Sequence, residues 1–280
     1  NIQENRAAID KIDAQIVKLL NRRTKHVLNI GQAKLASGKA IFQPDREQAL
    51  LRRICKLSDG ILSDESLRHI YREVMSSSIA LQKGFKIAFL GPEATYTHQA
   101  AVRRFGTSLA YVPQKTISEV FSEVEKDRAE YGVVPVENTT EGVVTHTLDM
   151  FVDSELKIVA QIVMPIEHCL VGKGSLKQAK KLYSHPQAYA QCRNWVRETL
   201  PSVEFIETSS TTAAAAMAAR AKTAVAISSA LAAEKYKLNI LDAAIQDHSG
   251  NATRFLVLGR ICGSPTGHDR TSLMFTVNDK

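Results

Sequence analysis

Arg23 and Lys34 lie eleven positions apart in a segment whose apolar residues recur at helical spacing. Eleven residues advance an ideal helix by about 1100°, roughly 20° beyond three turns, so the two cations share a face and can meet one anion. Arg6 does not join them. Its separation of 17 residues from Arg23 amounts to about 260° of rotation and roughly 25 Å of rise, so it reaches the same small ligand only from a partner subunit. Ser78 and Gln82 stand in line with the apolar Tyr71, Val74 and Met75, where polar groups need partners; hydrogen bonds between helices and contacts to a ligand are both open. In the second half, polar clusters follow apolar runs at Glu137-Asn138-Thr139-Thr140, Ser184-His185-Pro186-Gln187, Thr208-Ser209-Ser210-Thr211 and Asn251-Ala252-Thr253-Arg254-Phe255. The loop Gly91 to His98 precedes a helix and either offers amide N–H groups to an anion or is plain turn chemistry. These clusters can converge on one cleft. There is no G-x-S-x-G elbow for a hydrolase triad. His168, Cys169, His185 and Cys192 lack compact metal spacing, so core or loop roles suit them better and no metal site is expected.

Two kinds of pattern must position these residues. From Ile9 to Ile30 the apolar positions repeat a helical face, and no Pro interrupts before Pro44, so one helix from about residue 4 to 37 is expected. Its length suggests pairing with another chain. Pro44 suits the first turn of a second helix through Leu57, and Ser63 or Asp64 can cap a third that carries Leu67, Ile70, Val74 and Leu81. After Gly84 short apolar runs alternate with helical stretches: strands are expected at 86–90, 131–136, 157–163, 181–183, 203–207, 224–227 and 255–258, with helices at 118–126, 188–200 and 211–221. This alternation implies an α/β architecture with mostly parallel strands and ligands beyond strand carboxyl ends. The Ala-rich stretch near Ala213 reads as a small-residue helix packed closely on a sheet.

With 280 residues, 44% of them hydrophobic, the chain has room for about two domains, and no apolar run approaches the roughly 18 residues of a membrane span. The net charge of +7 is uneven: residues 1–84 hold 15 basic and 9 acidic side chains, the remainder 21 and 20. The first segment therefore either binds something anionic or presents a basic face without a role. Cys55, Cys169, Cys192 and Cys262 are 114, 23 and 70 residues apart, too dispersed for a disulfide framework, which fits a reduced, cytoplasmic chain. The opening Asn1 in place of Met, with no signal-peptide pattern, reads as a fragment or processed chain.

The run Asn5 to Asp13, with Arg22-Arg23, Gly31-Gln32-Ala33-Lys34, Asp45-Arg46-Glu47 and Ser78-x-x-x-Gln82, resembles the all-helical class of chorismate mutase. The resemblance implies a three-helix intertwined homodimer with each site built from both chains, and the rearrangement of chorismate to prephenate. Arg6 of the partner and Arg23 then bind the substrate carboxylates, Lys34 and Gln82 donate to the ether oxygen, Glu47 accepts from the ring hydroxyl, and Ser78 and Arg46 complete the wall. Gln43 departs from the Asp common in that family. Such a reaction needs no nucleophile, metal or cofactor; it needs conformer selection and stabilised charge, for which the bidentate Arg fork is suited.

Gly91-Pro92-x-x-Thr95-Tyr96-Thr97-His98, Val134-Pro135-Val136-Glu137-Asn138-Thr139, Ser184-His185-Pro186-Gln187 and Thr253-Arg254-Phe255 resemble prephenate dehydratase over about residues 86–260. The resemblance implies two α/β lobes around a cleft, as in periplasmic binding proteins, and conversion of prephenate to phenylpyruvate. Thr253 then contacts the departing hydroxyl, with Glu137 as a relay because an unperturbed Thr is a poor acid. Asn138, Ser184, Gln187 and Ser210 orient the carboxylates. Arg254 either anchors one or pairs with a structural carboxylate. The whole chain is similar to the bifunctional enzymes of phenylalanine synthesis, with a helical domain over 1–84, a dehydratase domain over 85–265, and 266–280 as linker and first-strand remnant, at 271–277, of an amino-acid-binding ACT domain. A phenylalanine site is expected only in the missing part of that domain. Two other readings compete: a helical dimerisation segment on a two-lobed solute sensor, expected to bind without turnover, and a nucleic-acid binder, for which no helix-turn-helix or aromatic-interleaved basic patch is present.

Overall fold

The computed structural model describes residues 1–37, 43–81, 85–248, 250–263, 265, 269–273 and 275. Two compact units share the chain: Asn1–Tyr71 with Ile261–Lys280, and Arg72–Arg260.

The first unit is helical. Helix α1 (Ile2–Ala36) runs without a breaker, with Glu4 in its first turn and Lys34 in its last, each placed to favour the backbone dipole. The Ser37 hydroxyl closes it by donating to the Ala33 and Lys34 carbonyls. Helix α2 (Pro44–Leu57) opens on proline, which loses no hydrogen bond there. Helix α3 (Asp64–Ala80) opens where Ser63 Oγ accepts the Ser66 N–H. Along α1, Ile9, Ile12, Ile16 and Leu19 remain between 47% and 62% exposed. A helical stripe of that kind is ordinarily covered.

The last turns of α3 belong to the second unit, and side chains fix them there. Glu73 accepts from the Thr107 backbone and hydroxyl, and Ser76 Oγ from the Ser108 N–H. Gly106 is required at this seat: it has a left-handed φ of 82°, and a Cβ would lie 2.5 Å from the Ser76 Cβ.

The second unit holds two sheets. The first has six strands: β1 (Lys86–Leu90), β2 (Ala110–Gln114), β3 (Tyr131–Asn138), β4 (Gly142–Val143), β5 (Lys157–Pro165) and β11 (Ala252–Gly259), in the order β2-β1-β3-β11-β5 with β4 paired to β3. Its helices are α4 (Tyr96–Phe105), α5 (Ile117–Glu125) and α6 (Thr145–Asp153). The second sheet joins β6 (Cys169–Gly172), β7 (Lys181–Ser184), β8 (Glu204–Glu207), β9 (Ala224–Ser228) and β10 (Asn239–Asp242) in the order β10-β6-β9-β7-β8. Its helices are α7 (Pro186–Gln191), α8 (Arg193–Thr199), α9 (Thr211–Ala218) and α10 (Ala230–Tyr236). The chain crosses between sheets twice, at 166–168 after β5 and at 243–251 before β11.

The sheets are mixed, which corrects the expectation of mostly parallel strands. β1 pairs parallel with β2 and β3, and β7 with β8 and β9, but β11 returns antiparallel between β3 and β5, and β6 lies antiparallel to β9 and β10. Apolar alternation carries no strand direction, so only the two crossings reveal it. Strand β2 contains Pro113, a residue that argues against a central strand, and it lies at a sheet edge where proline is tolerated. The expected helix 188–200 is two helices broken at Cys192. Around α9, Ala214, Ala215 and Ala218 are buried against Ala224 and Ala226 of β9, the close small-residue packing expected. Among the described residues after Gly259 none lies in a helix or strand; Met274, Thr276 and Val277 of the expected strand lie outside them.

Candidate active site

A cavity of about 400 Å³ opens between the two sheets of the second unit, lined among others by Thr95, Asn138, Glu141, Gln187, Gln191, Ser210, Asn251 and Thr253. That volume suits one small ligand. Register builds its floor. Thr253 of β11 stands opposite Asn138 of β3, and Arg254 opposite Glu137. Successive strand residues point to opposite faces, so one pair enters the cleft and the other turns away.

Hydrogen bonds fix the direction of every group on this floor. Asn138 Oδ1 accepts the backbone N–H groups of Thr140 at 2.9 Å and Glu141 at 3.2 Å. Its amide nitrogen is thereby turned to donate to Thr253 Oγ1 at 2.8 Å and Asn251 Oδ1 at 2.9 Å. Asn251 Nδ2 donates in turn to Gln191 Oε1 at 2.9 Å. Because Thr253 Oγ1 accepts from the amide, its own hydroxyl hydrogen is left to donate. Thr253 is 8% exposed, and the cleft is the space beside it.

His168 joins both crossings and both lobes. Its Nε2 is 2.8 Å from Gln191 Oε1, which fixes that nitrogen as donor, and its Nδ1 is 3.0 Å from the Tyr96 hydroxyl. Its backbone N–H donates to Gln246 Oε1 and its carbonyl accepts from Ile245. Burial lowers the His168 pKa, partly offset by the Gln191 hydrogen bond, and burial holds the Tyr96 phenol well above its ordinary value.

Among the described lining residues there is no Lys or Arg. Apart from the His168 and His185 rings, the described lining residues offer an anion in the cleft uncharged donors. Helices α4 and α9 begin at its rim, capped by Thr95, which accepts the His98 N–H, and by Ser210, which accepts the Ala213 N–H, and their first-turn amides supply positive partial charge. The turn ahead of α4 is held from the other lobe. Ala94, at a left-handed φ of 66°, is buried in the alanine-rich cluster of the second sheet, and Glu93 pairs with Lys235 at 2.6 Å. The Ala94 N–H donates to His98 Nδ1 at 3.0 Å, and His98 stacks on Phe89.

That bond needs an unprotonated Nδ1, and burial lowers the His98 pKa from its ordinary 6.5. A folded pKa below the unfolded one gives stability that is fully present above about 6.5 and lost as pH falls through the folded value. Melting temperature is accordingly expected to fall below pH 6.5 in the parent chain, and the slope of that fall to shrink in His98→Gln. An identical slope in both would contradict the role of His98.

The sequence-derived candidates divide clearly. Asn138, Gln187, Ser210 and Thr253 line the cleft. Glu137 and Arg254 are not among the lining residues; they face each other across the register, with Arg254 Nε 3.3 Å from the Glu137 carboxylate, so Arg254 pairs with a protein carboxylate. Ser184 is fully buried and donates to the His185 carbonyl at 2.9 Å; it is not among the lining residues. Glu141, Gln191 and Asn251 are not among the candidates the sequence yields, although Asn251 lies within a quoted cluster, and His168 enters there only as a poor metal ligand suited to a core or loop role; the alternation rule applied to Asn138 and Thr253 is the signal that separates cleft residues from their neighbours.

In the helical unit Arg6 is exposed on α1, while Arg23 is half-buried and burial lowers its pKa, the nearby Tyr71 opposing. Lys34 Nζ donates to Gln43 Oε1 at 2.9 Å, so the residue that departs from the family's common Asp contacts that ammonium. Arg46 and Glu47 occupy the first turn of α2, exposed and half-buried respectively. Ser78 is buried and donates to the Val74 carbonyl at 2.7 Å. Gln82 lies outside the described residues. Among the described residues no group of three His, Cys, Asp or Glu side chains is placed to hold a metal ion, and no helix is long and apolar enough to cross a membrane.

Comparison with known proteins adds independent matches. The family described as prephenate dehydratase matches residues 87–262, and chorismate mutase type II matches residues 5–83. The bifunctional chorismate mutase/prephenate dehydratase of Aquifex aeolicus is 47% identical, over 100% of this chain and 78% of its own. The prephenate dehydratase of Arthrobacter aurescens, solved in complex with L-Phe, aligns with a TM-score of 0.60 at 33% identity, over 66% of this chain and 63% of that one. A protein described as a novel type of quorum-quenching acylase aligns with a TM-score of 0.57 at 31% identity, over 64% of this chain and 65% of that one.

Proposed function

We infer, for a chain that belongs to the bifunctional chorismate mutase/prephenate dehydratase family, that the helical segment rearranges chorismate and the two-lobed segment converts the prephenate so formed to phenylpyruvate. The observation that carries the second half is the Asn138–Thr253 pair, which aims one hydroxyl hydrogen into a cleft bordered by helix N-termini. In the reaction the ring C–O bond breaks with its electron pair going to oxygen, which takes a proton and leaves as water. The bond to the ring carboxylate breaks as CO₂ departs, and its electrons complete the aromatic ring. Thr253 suits the first event as a hydrogen-bond donor to the leaving oxygen, Asn138 holds it in that orientation, and Ser210 with the α9 amides suits a carboxylate.

In the helical segment the proposed roles are Arg23 and the partner subunit's Arg6 for the carboxylates, Lys34 and Gln82 for the ether oxygen, Glu47 for the hydroxyl, and Arg46 and Ser78 for the wall. Lys34 is supported by its contact with Gln43; Ser78 and Gln82 rest on the family match alone. A homodimer through α1 is supported by its exposed isoleucine stripe, and it predicts that dilution below the dimer dissociation constant lowers mutase turnover per chain more than dehydratase turnover. Parallel loss of the two, or no loss in a chain shown to be monomeric by sedimentation, would contradict the shared mutase site. Free thiols at all four cysteines suit a reducing cytoplasm.

The test is to supply chorismate and follow prephenate and phenylpyruvate in sequence. Tight binding of prephenate without turnover would support a sensor, and hydrolysis of acyl amides without dehydration would support an acylase. The burial of Ser184 and the hydrogen bond from the Asn138 amide to Thr253 Oγ1 leave neither hydroxyl arranged as a base-activated nucleophile.

A further inference from the structure

Glu141 stands where the cleft adjoins a second cavity. It follows β3 in the hairpin to β4, lines the cleft, and lines a neighbouring space of about 360 Å³ with Thr140, Gln246 and His248. One of its carboxylate oxygens accepts Gln187 Nε2 at 2.7 Å and the other accepts Gln191 Nε2 at 3.1 Å. The two donors lie four residues apart on α7, so they share a face. Two amide N–H groups that take the two oxygens of one carboxylate form a carboxylate receptor, and the carboxylate it holds belongs to the opposite lobe of the protein itself.

The receptor keeps its direction without Glu141. Gln191 Oε1 is bound by Asn251 Nδ2 and His168 Nε2, so its amide nitrogen stays turned toward the same point. Prephenate brings two carboxylates into a cleft whose described lining residues include no Lys or Arg. There a fixed negative side chain both occupies donors the substrate can use and repels it through space.

We propose that Glu141 is an internal competitor for the carboxylate subsite formed by Gln187 and Gln191, displaced toward the adjoining cavity when a substrate carboxylate takes its place. The proposal rests on the dehydratase reading above. It makes an expectation that mere structural damage does not: removing Glu141 tightens substrate binding.

Steady-state kinetics with prephenate test it in Glu141→Ala and Glu141→Gln, each checked for undiminished chorismate rearrangement by the same preparation. KM for prephenate is expected to fall roughly two- to fivefold in the alanine variant, the scale of one exposed charge interaction, and by less in the glutamine variant, which removes the charge but keeps the bulk. If the alanine variant loses both activities through misfolding, the glutamine variant decides alone. An unchanged or raised KM in a folded variant, beside a parent chain that turns over prephenate, overturns the role of Glu141 only. A parent chain that does not turn over prephenate overturns the dehydratase reading and this subsite with it.

Discussion

Thr253→Ala is expected to lower prephenate dehydration by about 10²- to 10³-fold, the usual cost of removing one preorganised donor from a site of developing negative charge. The loss should appear in kcat more than in KM, since the hydroxyl serves the oxygen as it leaves. Two observations set this expectation. Asn138 donates to Thr253 Oγ1, so the threonine has a single free hydrogen, and the Asn138 amide cannot turn because two backbone N–H groups hold its oxygen. Thr253→Ser keeps the hydroxyl and should retain activity to within about tenfold, the remaining loss reflecting a freer side chain without the β-methyl group. Rearrangement of chorismate should be unaffected in both. A stopped assay of phenylpyruvate formation separates these outcomes; equal loss in the serine and alanine variants would show that the methyl group's packing, not the hydroxyl, is what matters.

Arg23→Ala is expected to lower chorismate rearrangement by on the order of 10³, because catalysis without a nucleophile depends on holding the dicarboxylate and stabilising charge as the ether bond breaks. Burial already lowers the Arg23 pKa, a sign that this guanidinium is partly withdrawn from water, where a bidentate carboxylate contact is worth more than at an open surface. Dehydration of added prephenate should persist. Arg23→Lys keeps the charge but loses the fork, and is expected to recover only a small part of the activity. Disappearance of chorismate absorbance reads the result directly.

Different parts of this molecule differ in how far the sequence discloses them. Helices α1 and α2 begin and end where apolar period, proline and serine place them, because those signals are local. Strand positions β1, β3, β5, β7, β9 and β11 were likewise visible as apolar runs. Their directions were not, because two crossings between lobes decide them and both lie in stretches without periodic character. The site shows the same division. Thr253 and Asn138 were identifiable as polar residues at strand ends, but Glu137 and Arg254 sit beside them in sequence and on the other face in space. A strand admits only one of two neighbours to a cleft, so the grouping of Glu137 with Asn138, and of Arg254 with Thr253, already carried a conflict that register resolves. Glu141, His168 and Gln191 acquire their place only when the two crossings bring both lobes together, and no spacing along the chain announces that.

One chain with two chemically independent sites joined by a shared intermediate should allow each site to work when the other is disabled. Mixing Arg23→Ala with Thr253→Ala and supplying chorismate tests it most directly. The first variant alone should leave chorismate largely unconverted, the second alone should accumulate prephenate, and the mixture should form phenylpyruvate. Failure of the folded mixture to form phenylpyruvate, or loss of both activities in either folded variant, would contradict two independent sites.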